Sequence, residues 1–415
     1  MFTYLFTVAL LAMVATKLWL ATRQIRYVSN HRFQVPERFA ERVTLEAHQT
    51  AARYTVARTR LAVLEIVVSA VVLVGFTLLG GLNAIDVALT SWLGRGYIEQ
   101  IALIGSVALI SSLIELPFEY IKHFVIEARF GFNRMTPRLF ISDLLKSTGV
   151  GVVLGVPLIL AVLWIMQRAG TQWWWYAWVF WIAFNVLILV LFPTFIAPLF
   201  NKFEPLRDVA LRQRIEALLA RCGFAAKGLF VMDGSRRSAH GNAYFTGFGA
   251  AKRIVFFDTL ITRLSGDEVE AVLAHELGHF KRRHVMKRLI ATFLISLALL
   301  ALLGWLARKT WFYTDLGVMP SPAGFNDGLA LALFFLVAPV FLFFASPLNS
   351  LASRRHEFEA DAFAAAQTHA QHLVSALVKL YQDNASTLTP DPLYTAFYYS
   401  HPPASERIGR LLGSP

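Results

Sequence analysis

Two histidines and a glutamate past the middle of the chain have the spacing of a metal-binding helix. They are His275, Glu276 and His279, within the stretch AVLAHELGHF at 271–280. Residues four apart lie on one face of a helix, so the two imidazoles can reach a single metal ion. Glu276 then points beside them, towards a water molecule that the metal would polarise. Composition alone would produce this pattern about one time in a hundred, so its context decides its meaning.

The residues before this pattern predict where its helix begins. Ser265-Gly266-Asp267-Glu268 has the S-x-x-E form of a capping box, and its two acidic residues suit the first turn of a helix. The apolar face of this helix is supplied by Val269, Val272, Leu273 and Leu277. We therefore predict a helix that starts at the capping box and carries both histidines on one face.

A catalytic zinc site uses three protein ligands and one open position, so two histidines are too few. The single Cys222 leaves histidines and carboxylates as possible ligands. His284 follows His275 by nine residues, but the extended H-E-x-x-H-x-x-G-x-x-H pattern would need Gly and His where the chain has Arg282 and Val285. We interpret His284 as a polar residue near the membrane interface, and not as a ligand.

A carboxylate from farther along the chain is the better candidate for the third ligand. The stretch SRRHEFEADAFAAA at 353–366 places Glu357 and Asp361 four apart on one helical face, whereas Glu359 points away. Glu357 can bind zinc while Asp361 accepts a hydrogen bond from a ligand imidazole. The alternative is a solvated acidic face that pairs with the preceding arginines. The H-E-x-x-H pattern on the same side of the membrane favours the zinc ligand.

The composition is that of a membrane protein. The chain has 415 residues, 56% of them hydrophobic and only 16% charged, and a mean hydropathy of +0.53. The first apolar run has no preceding positive charge and is followed by Lys17 and two arginines, which predicts a retained anchor and not a cleaved signal peptide. Seven apolar segments approach the length of a membrane-spanning helix: 3–22, 61–83, 100–118, 147–167, 174–199, 288–307 and 328–352.

Loop charges predict the orientation in the membrane. Residues 21–60 hold eight Arg and residues 121–147 hold five Lys or Arg. The three loops that connect the predicted spans on the opposite side of the membrane together hold four basic residues. The basic loops are expected in the cytoplasm, with the N-terminus outside and the metal-site segments on the cytoplasmic side. This topology accounts for much of the net charge of +12. We see no basic and aromatic pattern that would bind nucleic acid.

We predict a mainly α fold: a seven-span transmembrane helical bundle with a cytoplasm-facing, zincin-type metalloprotease domain that contains a small β-sheet or hairpin. An amphipathic helix is expected at 206–224, a strand at 228–232 and a hairpin or strand pair within 238–260. The predicted units are five transmembrane helices at 1–200, a soluble catalytic insert at 201–287, two further transmembrane helices at 288–352 and a C-terminal catalytic segment at 353–415.

Taken together, these features resemble the type 1 CAAX prenyl protease family, which are integral-membrane zinc metalloproteases that trim prenylated proteins in eukaryotes and also have bacterial members. HELGH alone is shared by many metalloproteases, but the ordered set of blocks is more specific. The blocks are FVIEARFGFNRMTPRLFISDLLK at 124–146, FPTFIAPLFNKFEPL at 192–206, SAHGNAYFTGFGAAKRIVFFDTL at 238–260, AVLAHELGHF at 271–280, SRRHEFEADAFA at 353–364 and YYSHPPASERI at 398–408.

The resemblance implies a role for each candidate site residue. It implies that His275, His279 and Glu357 bind zinc, that Glu276 is the general base and that Asp361 supports a ligand. It also implies that Asn242 and its flanking segment, with His240, bind substrate, and that His401 and Arg407 line the active site. From the residues alone, His401-Pro402-Pro403 would be a turn and Arg407 a surface residue.

The expected function is that of a membrane zinc endopeptidase of the CAAX type, acting on a peptide or protein substrate that can be lipidated. One alternative is a quality-control metalloprotease for membrane proteins, which would use the same chemistry. A second is a non-catalytic zinc-binding transporter or scaffold, but a structural zinc site is usually closed by four ligands and only three converge here. The composition and the ending LLGSP favour a bacterial inner-membrane homologue.

Overall fold

A computed structural model of the chain describes residues 1–224, 228–246 and 253–413. Most of these residues are helical, as predicted. The helices are α1 Phe2–Asn30, α2 Leu45–Phe76, α3 Gly81–Leu93, α4 Tyr97–Tyr120, α5 Pro137–Arg168, α6 Trp173–Leu191, α7 Ala197–Phe200, α8 Val209–Arg221, α9 Asp258–Arg263, α10 Gly266–Lys281, α11 His284–Leu306, α12 Thr310–Thr314, α13 Asp327–Leu342, α14 Ser346–Gln367, α15 Ala370–Asp383, α16 Pro392–Tyr398 and α17 Ala404–Leu411. The strands are β1 Phe203–Pro205, β2 Gly228–Met232, β3 Ala243–Thr246 and β4 Arg253–Phe257.

Seven helical segments of the described chain are long and apolar enough to cross a membrane, which confirms the predicted number. They are α1, α2, α4 with its π-helical extension to Glu127, α5, the run Gly170–Phe200, α11 and the run Asp327–Gln367. Within the last run, α13 is the most buried span and forms the centre of the bundle, with Leu329, Leu333 and Val337 in the main membrane core. α14 continues from α13 through one short 3-10 turn.

The second span differs from its predicted bounds of 61–83. α2 starts at Leu45, where the Thr44 side chain accepts a hydrogen bond from the Ala47 amide, and it ends at Phe76. The chain then turns at Gly80, whose φ of +74° disfavours residues with a side chain. The short helix α3 follows, within a segment that we had predicted to be a loop.

The soluble insert contains a small four-stranded sheet with the order β1-β2-β4-β3. β2 lies parallel to β4, with Leu229 opposite Ile254, and β3 lies antiparallel to β4 on the other side. The predicted strand at 228–232 and the strand pair within 238–260 are therefore present, although 247–252 fall outside the described residues. β1, which extends the sheet, was not predicted because three residues give no alternating pattern.

The capping box predicted for the metal-site helix is formed at the start of α10. The Ser265 hydroxyl accepts from the Glu268 amide at 3.4 Å, and Glu268 Oε2 accepts from the Ser265 amide at 2.7 Å. Glu268 also accepts from Ser375 Oγ and Lys379 Nζ of α15, each at 2.7 Å. Burial raises the pKa of Glu268, but these hydrogen bonds outweigh it and lower the pKa overall. This carboxylate therefore both starts α10 and joins it to α15.

α10 and α14 approach each other closely at Gly278, within HELGH. A Cβ atom on Gly278 would lie 2.9 Å from the Cα of Ala360 and 3.1 Å from its carbonyl oxygen. The two backbones can come this close because one residue has no side chain and the other has only a methyl group. This contact sets the distance between the helix that carries the histidines and the helix that carries Glu357.

We predict that Gly278→Ala separates α10 from α14 and weakens the site between them. The added methyl group would meet backbone atoms, which cannot rotate away, so overpacking should cost about 1–3 kcal/mol of stability. Thermal unfolding of the purified protein, together with its metal content, measures both effects.

Gly149→Ala is the matched control, since Gly149 lies within α5 and a Cβ atom there would have no neighbour within 4 Å. We expect this control to unfold at the wild-type temperature or above it, because alanine favours a helix. If Gly278→Ala behaved like Gly149→Ala, close packing would not set the spacing of the two helices.

Candidate metal centre

Three side chains from α10 and α14 place their donor atoms around one point. His275 Nε2 lies 3.3 Å from His279 Nε2 and 3.5 Å from Glu357 Oε2, and His279 Nε2 lies 3.3 Å from Glu357 Oε1. His275 and Glu357 are buried. Within the described residues this is a group whose donor atoms lie close enough together to hold one metal ion. It consists of the three ligands that the sequence predicts.

The chemistry of this group fits a divalent cation. Two imidazole nitrogens and one carboxylate are the donor set of many catalytic zinc sites. Glu357 Oε2 is buried and accepts no hydrogen bond within the described residues, and Arg407 Nη1 stays 3.8 Å away, so a metal ion would satisfy this oxygen. Burial lowers the pKa of His275, but the carboxylates of Asp361 and Glu357 beside its two ring nitrogens outweigh that effect and raise the pKa to about 9. The surroundings of His275 thus favour a positive charge, which a metal ion supplies.

The first ligand histidine is held by a carboxylate behind it. Asp361 Oδ1 lies 2.8 Å from His275 Nδ1, so Nδ1 carries the proton and Nε2 is free to bind a metal. Asp361 in turn accepts two hydrogen bonds from Arg407, from Nη2 at 2.6 Å and from Nε at 2.8 Å. This buried ion pair fixes the carboxylate that orients His275.

The second ligand histidine is held through another imidazole. Arg283 has a left-handed φ of +55°, which ends α10 and starts α11 so that His284 faces back towards His279. His279 Nδ1 lies 3.0 Å from His284 Nδ1, and His284 Nε2 lies 3.0 Å from Glu359 Oε2. If His279 Nδ1 donates, His284 accepts with Nδ1 and donates Nε2–H to Glu359. One consistent set of tautomers therefore satisfies the whole chain.

His284 and Glu359 are site residues that sequence reasoning missed. His284 is buried at the start of the sixth span, where it contacts His279, a role that our interpretation as an interfacial residue did not include. Glu359 does point away from the three donors, yet it reaches them through His284. Each metal-bound histidine needs a hydrogen-bond partner at its second nitrogen, and applying that requirement to both histidines would have revealed this pair.

The C-terminal segment brings two further predicted residues to the centre. His401 lies in the loop between α16 and α17, and its Nε2 is 3.6 Å from Glu357 Oε1. Ser400 Oγ contacts His401 Nδ1 at 3.0 Å, while Tyr381 donates to the Pro402 carbonyl at 3.3 Å. Arg407 is buried on α17, so the interpretation from residues alone as a surface arginine is wrong.

Glu276 lies between the two histidines on α10. Its burial raises the pKa of the carboxyl group, an effect that the nearby His275 and His279 oppose. A carboxylate with a raised pKa is a stronger base than a solvated one. This is the property required of a group that takes a proton from water and gives it to an amine.

The predicted substrate-binding residues border a cavity of about 890 Å³ that also reaches His401 and Arg407. Asn242 is exposed to it and directly precedes β3, the last strand of the sheet. The Asn242 main-chain carbonyl accepts from the Phe257 amide at 2.9 Å, and its Oδ1 accepts from the Ala243 amide at 2.8 Å. Its Nδ2 has no protein partner among the described residues and is free to donate.

His240 lies on the wall of the same cavity, away from the three donors. Its Nδ1 is 3.0 Å from Asn384 Oδ1, and its ring stacks on Phe132 at a centroid distance of 4.8 Å. The Phe132 carbonyl also accepts from the Ala239 amide, and the Arg237 carbonyl accepts from the Arg134 amide. The connection between the third and fourth spans therefore holds this segment in place.

With this geometry in view, the chain can be compared with known proteins. Residues 24–202 match the family described as "CAAX prenyl protease N-terminal, five membrane helices", and residues 205–414 match "Peptidase family M48". The chain belongs to the M48 peptidase family. It is therefore a multi-pass membrane metallopeptidase, and M48 peptidases depend on a bound metal.

Individual M48 relatives share both sequence and fold with the chain. CAAX prenyl protease 1 of Saccharomyces cerevisiae is 39% identical over 325 residues, covering 75% of this chain and 72% of the relative. The CAAX prenyl protease 1 homolog of Arabidopsis thaliana is 40% identical over 318 residues, covering 76% and 74%. The crystal structure of S. mikatae Ste24p superposes with a TM-score of 0.92 at 32% identity and covers 99% of both chains. The predicted family and fold class are confirmed.

We predict that His284→Ala lowers metal affinity about 10- to 100-fold by leaving His279 without its hydrogen-bond partner. Competition with a chelator measures the affinity directly. Glu359→Gln should have a smaller effect, because a glutamine oxygen still accepts from His284.

His369→Ala is the control, since His369 is exposed at the start of α15 and its ring packs against His372. Equal affinities for wild type and His284→Ala would contradict a role for His284 in orienting His279.

Proposed function

We propose that the chain hydrolyses peptide bonds at a zinc site formed by His275, His279 and Glu357. The single observation that carries this proposal is the convergence of these three donors at distances of 3.3–3.5 Å. A zinc ion bound there would polarise the scissile carbonyl and lower the pKa of a water molecule. Around it, the chain's own residues orient the ligands, move the proton and hold the peptide.

Glu276 moves the proton. Its carboxylate takes a proton from the attacking water and later passes it to the nitrogen of the leaving amine. The burial that raises its pKa makes the carboxylate a stronger base for the first of these transfers. No covalent intermediate with the protein is needed.

His401 and Arg407 act beside the ligands in different ways. His401 presents its Nε2 towards the cavity next to Glu357, where an N–H can donate to the carbonyl oxygen of a peptide as negative charge develops on it. Arg407 uses Nε and Nη2 to hold Asp361, so it mainly positions that carboxylate and, through it, His275. The remaining Nη1 lies 3.8 Å from Glu357 Oε2 and balances its charge.

Asn242 and β3 bind the extended substrate. β3 pairs with β4 on one side, and on its other side an extended peptide can add as a further strand. The free Asn242 Nδ2 is available to donate to a substrate carbonyl. His240, which is fixed by Asn384 and Phe132, contributes to the wall of the same cavity.

We infer a substrate of the kind that the names of the relatives state, a CAAX protein with a prenyl group. The cavity is lined partly by α2, and it adjoins a second space of about 300 Å³ between α1, α2 and α13. A lipid chain can therefore lie in the space between these membrane helices while the peptide lies at the metal. The distribution of basic residues in the loops supports an N-terminus outside and a site on the cytoplasmic side. Location in a bacterial inner membrane stays a prediction from composition.

We predict that wild type and Glu276→Gln each bind about one zinc per chain, whereas Glu357→Ala binds markedly less. Cleavage of a test peptide should be lost in both variants. Elemental analysis and a cleavage assay on the same samples measure the two properties.

Glu406→Gln serves as the control, since Glu406 is exposed on α17 and should keep both zinc and activity. Full zinc content in Glu357→Ala would mean that the third ligand lies elsewhere. Full activity in Glu276→Gln would remove this residue as the base.

We also predict that a prenylated CAAX peptide is cleaved with a higher kcat/KM than the same peptide without its lipid. Each buried methylene of the lipid contributes about 0.8 kcal/mol to binding, so the difference should appear mainly in KM. Equal values for the two peptides would favour a protease that recognises peptides regardless of lipid, such as the quality-control alternative.

A further inference from the structure

The cavity beside the metal centre contains a cation that catalysis, as proposed above, does not use. Arg58 lies on α2, just before the apolar part of that helix, and lines the cavity that Asn242, His401 and Arg407 also line. Its side chain is exposed to this space. The question is which ligand its guanidinium serves.

Arg58 differs from Arg407, which also lines the cavity, in having no acidic partner among the described residues. Arg407 is paired with Asp361, and His401 lies near Glu357. Within the described residues, no carboxylate oxygen lies within 4 Å of the Arg58 guanidinium. Its one hydrogen bond is a long one, from Nη1 to the Tyr54 hydroxyl at 3.5 Å. That hydroxyl gives its own proton to Glu127 Oε1, at 3.2 Å.

Arg58 lines the same cavity as residues of the proposed reaction site. The lining also includes Tyr399 and His401, and His401 Nε2 lies 3.6 Å from Glu357 Oε1. The guanidinium is thus part of the wall of the space in which a peptide beside the metal centre would lie.

We propose that Arg58 binds the C-terminal carboxylate of the peptide substrate. The proposal rests on the function proposed above. A C-a-a-X sequence carries its carboxylate three residues beyond the cysteine, a reach of roughly 10 Å in an extended chain. A guanidinium forms two parallel hydrogen bonds with a carboxylate, and a charge-assisted pair is stronger than a neutral one. Arg58 would therefore select peptides by their free end and set the number of residues removed.

The test compares two peptides that differ only at the C-terminus. One is an internally quenched peptide with a free carboxylate, and the other is the same peptide with a C-terminal amide. In the wild-type protein we expect kcat/KM to be about 10- to 100-fold higher for the free acid, the range of a charge-assisted hydrogen bond. In Arg58→Met this preference should disappear, because the value for the acid falls to that for the amide.

Three controls separate recognition from damage to the protein. Arg58→Lys should keep part of the preference, since it keeps the charge. Arg60→Met should resemble wild type, because Arg60 is exposed on the same helix and does not line the cavity. The amide should be cleaved equally by wild type and Arg58→Met, with equal zinc content.

Other outcomes would overturn the proposal. An equal loss for both peptides in Arg58→Met would mean that Arg58 supports the fold only, and no preference in wild type would mean that the free end is not recognised. Inhibition by phosphatidylglycerol that requires Arg58, without a preference for the acid, would assign it to a lipid phosphate. If the wild-type protein cleaved neither peptide, the proposed function itself would be wrong. The same would hold if Glu276→Gln cleaved both peptides as fast as the wild type.

Discussion

The site depends above all on the contact between two helices from distant parts of the chain. α10 carries both histidines and α14 carries Glu357, so the three donors converge only while the backbones touch at Gly278 and Ala360. The glycine inside HELGH is therefore a packing requirement as well as part of a motif. α14 also continues from α13, the most buried span. The position of Glu357 is thus tied to the core of the membrane bundle.

Buried charges give this contact its specificity. Asp361 and Arg407 form an ion pair in the interior, where removing one partner would leave an uncompensated charge at a cost of about 3–5 kcal/mol. The pair joins α14 to the short helix α17 and at the same time orients His275. Glu359 and His284 do the same for His279. Each ligand histidine is thus held by a carboxylate on α14, one directly and one through an imidazole.

Elements that carry a regular local pattern could be predicted from the sequence. Elements that depend on tertiary contacts could not. The seven spans follow from hydropathy, and the start of α10 follows from Ser265 and Glu268, because both signals are local. Helix α3 straddles the end of the predicted second span and the loop after it, and the three-residue β1 is too short to carry a pattern. The burial of Arg407 depends on its pairing with a residue 46 positions away, so local sequence made it look like a surface arginine. The place of His284 follows from one left-handed residue, Arg283.

The arrangement of the cavity explains why such a site belongs at the end of membrane helices. The sheet and Asn242 form one side of it, whereas α2, with Arg58 and Thr59, forms another. A substrate bound between them meets strand hydrogen bonds on one side and a membrane span on the other. In a soluble protease the second side would face water. A lipid attached to the substrate would then bury no apolar surface by binding there. Here that side is a helix of the bundle, so a lipidated substrate of the proposed kind would have its peptide against the sheet and its lipid among the membrane helices.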